Sequence, residues 1–232
     1  SDLDFVYELD DIGRFRCNFF RQARGSGAVF RIIPPSVPTL DDLGMPASMR
    51  RLCQLKNGLV LVTGPTGAGK TTTLAALVDE INRTAKRHII TIEDPVEFLH
   101  PIRQSVVTQR QVGVHVSSFA EALRSSLRES PDVVVVGEMR DAETIQLALT
   151  AAETGVLVFG TLHTNSAASA INRIIDAMSE ESREQVRSIL SVLMRGIVAQ
   201  HLVKRSTGEG RVAVVEVLLQ NYAVAHLIRE NK

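Results

Sequence analysis

One stretch limits the possible folds of this chain more than any other: Leu59-Val60-Leu61-Val62-Thr63-Gly64-Pro65-Thr66-Gly67-Ala68-Gly69-Lys70-Thr71-Thr72. An apolar run that enters G-x-x-x-x-G-K-T reads as a strand, a phosphate-wrapping loop and the first turn of a helix. The loop must close on an anion with its own N–H groups, and a Cβ at the close approaches would block it. The required helix follows, because Leu74, Leu77, Val78 and Ile81 recur at i, i+3, i+4 and i+7. Gly64, Pro65, Thr66, Gly67, Ala68, Gly69, Lys70, Thr71 and Thr72 are therefore the expected phosphate-binding segment. Lys70 should reach the β- and γ-phosphates, Thr71 should ligate Mg²⁺, and the helix N-terminus adds its dipole. The pattern implies a nucleoside triphosphate site.

At 232 residues the chain can hold one full α/β domain and a fragment of another. Lysine and arginine balance aspartate and glutamate at 26 each, so the basic footprint usual in nucleic-acid binders is absent and no direct nucleic-acid partner is expected. Cys17 and Cys53 are the only cysteines, which disfavours a thiolate zinc site or a disulfide framework and fits a reducing cytoplasm. The longest apolar runs, such as Val133–Val136 and Val156–Phe159, are strand-sized, so no transmembrane segment is expected. No signal peptide is visible, and the opening Ser1-Asp2-Leu3, without methionine, suggests a trimmed or partial chain.

Residues 4–33 read as a β-meander, with Phe15, Cys17 and Phe19 alternating against Arg14, Arg16 and Asn18. Three strands with so little core suggest the tail of a domain that begins earlier. Pro34, Pro35 and Pro38 make the next segment a linker. From about Asp41 the expected order is strand, helix, strand, strand, helix, strand, helix, strand, helix. That order is an α/β domain with a mostly parallel sheet. Its core strands are Leu59–Thr63, His88–Ile92, Asp132–Val136 and Val156–Thr161. Ser118 and Glu121 form a capping-box signature, Asp141 is the expected N-cap of a helix over Glu143–Thr154, and Gly155 is its C′ residue. A helix through Val186, Ile189, Leu190 and Leu193 follows, then a hairpin around Thr207-Gly208-Glu209-Gly210.

Three strand ends carry chemistry. Val133–Val136 delivers Gly137-Glu138, and ligands sit at the carboxyl ends of such strands, so Glu138 is placed to orient or deprotonate an attacking water. Thr91-Ile92-Glu93-Asp94-Pro95-Val96-Glu97 gathers three acids, costly to cluster without a cation among them. Glu93 is expected on Mg²⁺, with Thr71 and Glu138, and Glu97 is expected to be functional. Phe159-Gly160-Thr161-Leu162-His163 ends in a histidine that can donate to a γ-phosphate oxygen, although a structural histidine would read the same way. Arg14, Arg16 and Arg31 sit on the small meander; an arginine brought in from another domain can stabilise phosphoryl-transfer charge, while solvated strand arginines would give the same pattern.

Taken together, Gly64–Thr71, Thr91–Phe98, Val133–Asp141 and Gly160–Ala167 resemble the Walker A, aspartate box, Walker B and histidine box of the secretion-superfamily hexameric ATPases. Within that superfamily the chain is most similar to the type IV pilus retraction ATPases, on Arg14-Phe15-Arg16, Gly25–Arg31, Gly137–Asp141 and Leu147–Gly155. The resemblance implies a RecA-like P-loop NTPase domain over residues 48–232, a linker over 36–47, and the C-terminal part of a small PAS-like α+β domain over 1–35. It implies ATP and Mg²⁺ as cofactors and a catalytic set of Glu138, Glu97, His163, Arg16 and Arg31. It further implies a homo-hexamer working with an inner-membrane pilus platform protein, cytoplasmic and peripheral to that membrane, in pilus retraction and twitching motility. Pilus assembly or type II secretion is the alternative within the class, and a nucleic-acid translocase the alternative outside it. The chain departs from the family at Ala225 and His226, within Ala223–Glu230, and at Val156.

Overall fold

The computed structural model describes residues 2–232. Three antiparallel strands come first: β1 (Leu3–Leu9), β2 (Gly13–Gln22) and β3 (Gly25–Ile33), in that order in their own sheet. Leu3 and Phe15 sit between polar neighbours, and Phe19 stacks edge-on against Phe5 and Phe30 at 5.2 and 5.9 Å. Only Cys17 and Ile33 are fully buried in this sheet.

The rest of the chain runs α1 (Ser48–Cys53), β4 (Gly58–Thr63), α2 (Lys70–Thr84), β5 (His88–Glu93), β6 (Val106–Gln111), α3 (Phe119–Ser126), β7 (Val133–Val136) and α4 (Ala142–Glu153). It continues with β8 (Leu157–Leu162), α5 (Ala167–Asp176), α6 (Arg183–Leu193), β9 (Met194–Lys204), β10 (Arg211–Leu219) and α7 (Tyr222–Arg229). The seven strands lie in the order β10-β9-β4-β8-β7-β5-β6, and every neighbouring pair is parallel except β9 and β10.

Successive side chains of a strand point to opposite faces, so a strand covered on both sides must be apolar throughout. In β4, Leu59 and Leu61 enter the core beneath α3, α4 and α6, while Val60 and Val62 enter the one beneath α1 and α2. The mostly parallel α/β architecture expected from the sequence is the one observed.

Local signals account for most of the helix ends. Asp141 accepts from the Thr144 N–H at 2.8 Å, and Gly155 takes a φ of 102° just beyond the last turn of α4. Ser118 Oγ accepts from the Glu121 N–H at 3.1 Å, but the Glu121 carboxylate turns to the Ser117 N–H at 3.2 Å, so the capping box is not reciprocal. The short helices α1 and α5 are additions to the expected order. Ala47, before α1, makes no side-chain cap, and α5 is capped by a Ser166–Ser169 box that lacks the acid of the usual signature. The expected hairpin is present, but its first strand begins at Met194, directly after α6. Part of the expected linker is docked as well: Leu40 is 1% exposed and packs with Met45 in the core beside α2. The extended, mostly exposed stretch therefore ends near Pro38.

Candidate nucleotide site

Parallel pairing brings the carboxyl ends of β4, β5, β7 and β8 to one rim of the sheet. Gly64 leaves β4 with a φ of 150°, and an added Cβ would stand 2.2 Å from the Gln200 carbonyl oxygen. Gly69 takes a φ of 86° and starts α2 without any side-chain cap. The first-turn N–H groups of α2 therefore depend on an acceptor from outside the helix. A strand-end loop with uncapped amides and an adjacent ammonium fits a phosphate chain.

Lys70 Nζ donates to the Gly64 carbonyl at 2.7 Å and the Pro65 carbonyl at 3.2 Å, and lies 3.4 Å from His163 Nδ1. His163 Nε2 is 2.9 Å from Glu138 Oε1. An ammonium only donates and a carboxylate only accepts, so the two contacts specify the tautomer with its proton on Nε2. The Arg140 Nε–H donates to the same carboxylate oxygen. Burial pushes the Glu138 carboxyl up, but the Arg140 hydrogen bond and charge, with His163 beside them, outweigh it and hold the group below its ordinary value. Burial lowers the Lys70 ammonium, and Glu138 partly offsets this.

Further ties hold the rim together. Thr63, fully buried at the end of β4, accepts from the Thr164 N–H at 3.0 Å and donates to the Thr164 carbonyl at 2.5 Å. That fixes the residue after His163 to the strand that feeds the loop. Met139 N donates to the Thr161 carbonyl at 3.0 Å, joining the residue after Glu138 to β8.

The three acids after β5 separate in the fold. Glu93 accepts from the Thr91 hydroxyl at 2.5 Å and from Gln109 Nε2 at 3.1 Å, and burial raises its carboxyl despite both bonds. Asp94 is exposed and precedes Pro95 through a cis peptide. Glu97 pairs with Arg16 at 3.1 Å, and its carbonyl accepts from Arg14 at 2.5 Å. Among the described residues no group of three or more His, Cys, Asp or Glu side chains stands close enough to hold a metal. The cation expected within the acid cluster is thus, for Glu97, a guanidinium of the small sheet.

The structure brings Lys70, His163 and Glu138 into one line of contacts, with Thr71 and Thr72 in the adjoining first turn of α2. Arg31 pairs in register opposite Arg16, hence on the same face, but is exposed and makes no ion pair among the described residues. Arg14, Arg16 and Glu97 form a second cluster that joins the two sheets. Sequence reasoning missed Arg140 and Gln200. A glutamine directly after Ile197-Val198-Ala199 was the available signal for the second.

The chain matches the family described as "Type II/IV secretion system protein" over residues 5–232. A "Twitching motility protein" of Neisseria gonorrhoeae is 53% identical over 231 residues, covering 100% of this chain and 62% of that protein. A "Type IV pilus retractation ATPase PilT" of Pseudomonas aeruginosa is also 53% identical over 231 residues, covering 100% of this chain and 67% of that protein. The chain thus spans roughly two thirds or less of the length of these relatives. Among solved structures, "Crystal Structure of the Pilus Retraction Motor PilT and Bound ADP" is similar at a TM-score of 0.94 and 50% identity, covering 100% of this chain and 67% of that one. No helix among the described residues is long and apolar enough to cross a membrane.

Proposed function

The chain belongs to the type II/IV secretion system protein family, and we propose that it is the nucleotide-hydrolysing part of a ring motor that powers type IV pilus retraction. The observation that carries the hydrolytic part is the line from Lys70 through His163 to Glu138 at the mouth of the glycine loop. The relatives named for twitching and pilus retraction cover the whole chain and support the direction of the motor. In this reading residues 1–35 are the end of a PAS-like domain, 36–47 the linker and 48–232 a RecA-like ATPase domain. The working form is a homo-hexamer on the cytoplasmic side of an inner-membrane pilus platform.

The loop amides and Lys70 bind the ATP phosphates, and Thr71, with Glu138 and Glu93, would hold Mg²⁺. The metal, when bound, neutralises charge on the transferring phosphoryl group. Glu138 Oε1 already accepts from His163 and Arg140, which leaves Oε2 to take a hydrogen bond from water. A carboxylate held below its ordinary value orients a water better than it removes the proton, and phosphoryl transfer asks mainly for positioning and charge. His163 keeps Glu138 and Lys70 at a fixed separation. Arg14 and Arg16 reach Val96 and Glu97 from the small sheet, Arg31 shares their face, and closure of that sheet would bring their charge toward the phosphates.

Glu138→Gln should retain nucleotide affinity while phosphate release falls about 10²–10⁴-fold. Normal release in that variant would sink the assignment. In cells, Lys70→Ala should leave abundant surface pili with no twitching; loss of the pili would replace retraction with assembly.

A further inference from the structure

We infer that Gln200, on β9, is a positioning residue that orients the phosphate loop from behind, an inference that rests on the nucleotide reading above. β9 runs parallel to β4 with Ala199 opposite Thr63, so the next residues on each, Gln200 and Gly64, meet where the loop begins. Gln200 is 2% exposed in an otherwise apolar stretch. Its Nε2 donates to the Ala68 carbonyl at 2.6 Å, and its Oε1 accepts from the Thr73 hydroxyl at 2.7 Å. A carbonyl can only accept, so the Ala68 contact fixes which end of the amide faces the loop.

The consequence for the loop follows from peptide geometry. In a planar trans peptide the carbonyl of one residue and the N–H of the next point in opposite directions. Gln200 draws the Ala68 carbonyl toward the core, which turns the Gly69 N–H outward, into the loop where a phosphate would sit. Thr73 belongs to the first turn of α2, so the same amide ties the loop crest to the helix whose N-terminus faces that phosphate. The backbone of Gln200 braces the other end, because its carbonyl oxygen occupies the space a Cβ on Gly64 would need. A buried primary amide is costly unless hydrogen-bonded, and here both ends bond to the loop or its helix. An apolar residue would fill the space but leave the Ala68 carbonyl free to rotate toward the anion. Glu138 and His163 touch neither group, so losing Gln200 should weaken nucleotide binding and spare the chemical step.

The test uses the full chain and four proteins: wild type, Gln200→Met, Gln200→Glu and Thr73→Val. MgADP affinity by calorimetry, KM and kcat for MgATP, thermal midpoints and hydrogen exchange at the loop amides are measured for each. Gln200→Met should weaken MgADP binding about 5–100-fold, the range for a lost buried hydrogen-bonding group. Its kcat should stay within about threefold, which separates binding from turnover. Gln200→Glu should weaken binding at least as much, because an oxygen then faces the Ala68 carbonyl. Thr73→Val, which removes only half the tie, should have a smaller effect. In the free protein, exchange at Gly69 should slow in both Gln200 variants, because an Ala68 carbonyl released from Gln200 turns outward and takes the Gly69 N–H inward, while α4 is unchanged. Unaltered affinity and unaltered Gly69 exchange in a folded Gln200 variant would overturn the inference. Should Gln200→Met not fold, Gln200→Glu and Thr73→Val carry the same comparison. A wild type that fails to bind MgADP would overturn the nucleotide reading alone, since Gly69 exchange still decides what Gln200 does.

Discussion

The two sheets of this molecule are held by different forces. In the seven-stranded sheet β4, β7 and β8 are buried along their whole length, and side chains alternate into two separate cores. In the three-stranded sheet Tyr7, Phe30 and Ile32 are exposed, and the side-chain ties found to the larger body are Arg14 and Arg16 reaching Val96 and Glu97. On the proposed reading, a rim that holds phosphate-binding groups within tenths of an ångström needs the first kind of support, and a sheet that closes on that rim and leaves it needs the second.

Truncating one aromatic residue in each sheet is the most forceful way to break this contrast. Phe159 is fully buried beneath α2, and Phe159→Ala should cost about 3–5 kcal/mol in denaturant unfolding. Phe19 is 42% exposed and mainly stacks on Phe5 and Phe30, so Phe19→Ala should cost about 1 kcal/mol. Equal losses would mean that the small sheet has the stability of a core. On the rim itself, Thr63→Val would leave the half-buried Thr164 N–H without its acceptor, at about 0.5–1.5 kcal/mol. Because Thr164 follows His163, phosphate release should fall further than MgADP affinity in that variant. An equal fall in both would show that the tie only stabilises.

A smaller effect, with a definite sign, comes from Glu93 at the border between the two regions. Burial raises its carboxyl in the folded state, so between the unfolded and folded values the native protein binds more protons than the unfolded one. Glu93 therefore subtracts from stability as pH rises through that window, and the loss is complete above the folded value. Glu93→Gln keeps an acceptor for Thr91 and Gln109 and should stabilise the protein at neutral pH, with the gain growing as pH rises through that window, so that the acid limb of the stability–pH curve steepens. If Glu93 helps hold Mg²⁺, the same variant should need more Mg²⁺ for half-maximal hydrolysis. A variant less stable than wild type at pH 7 would contradict the burial argument.

Much of the larger region was legible before the structure because its signals are local. Val133–Val136 is apolar without a break, Asp141 and Gly155 bracket a helix, and the glycine loop carries its own register. What escaped depends on contacts distant in sequence. Helix α6 passes into β9 at Leu193–Met194 without a turn residue, so apolar periodicity runs on while the backbone changes state. Gln200 acquires its meaning only when parallel pairing sets it beside Gly64. The acids at 93, 94 and 97 suggested one cation, yet they diverge, because Glu93 finds Thr91 and Gln109 while Glu97 finds an arginine 81 positions away. The candidate residues on the large sheet were readable as strand ends; the partners that orient them were not.

The smallest expected effect bears most directly on how the two sheets work together. Arg16 is 36% and Glu97 20% exposed in their side chains, and their 3.1 Å pair is partly screened by solvent. A double-mutant cycle on Arg16→Ala and Glu97→Gln should therefore give a coupling of about 0.2–1 kcal/mol, shrinking further in salt. Such a weak link suits the exchange that the proposed closure calls for, since an arginine held by several kcal/mol could not leave Glu97 for a phosphate without slowing every turnover. Arg16→Ala should then barely change the unfolding midpoint and yet reduce phosphate release. A coupling above about 3 kcal/mol would instead mark the pair as a buried structural bridge. The small sheet would then be a fixed part of the site, with nothing left to close.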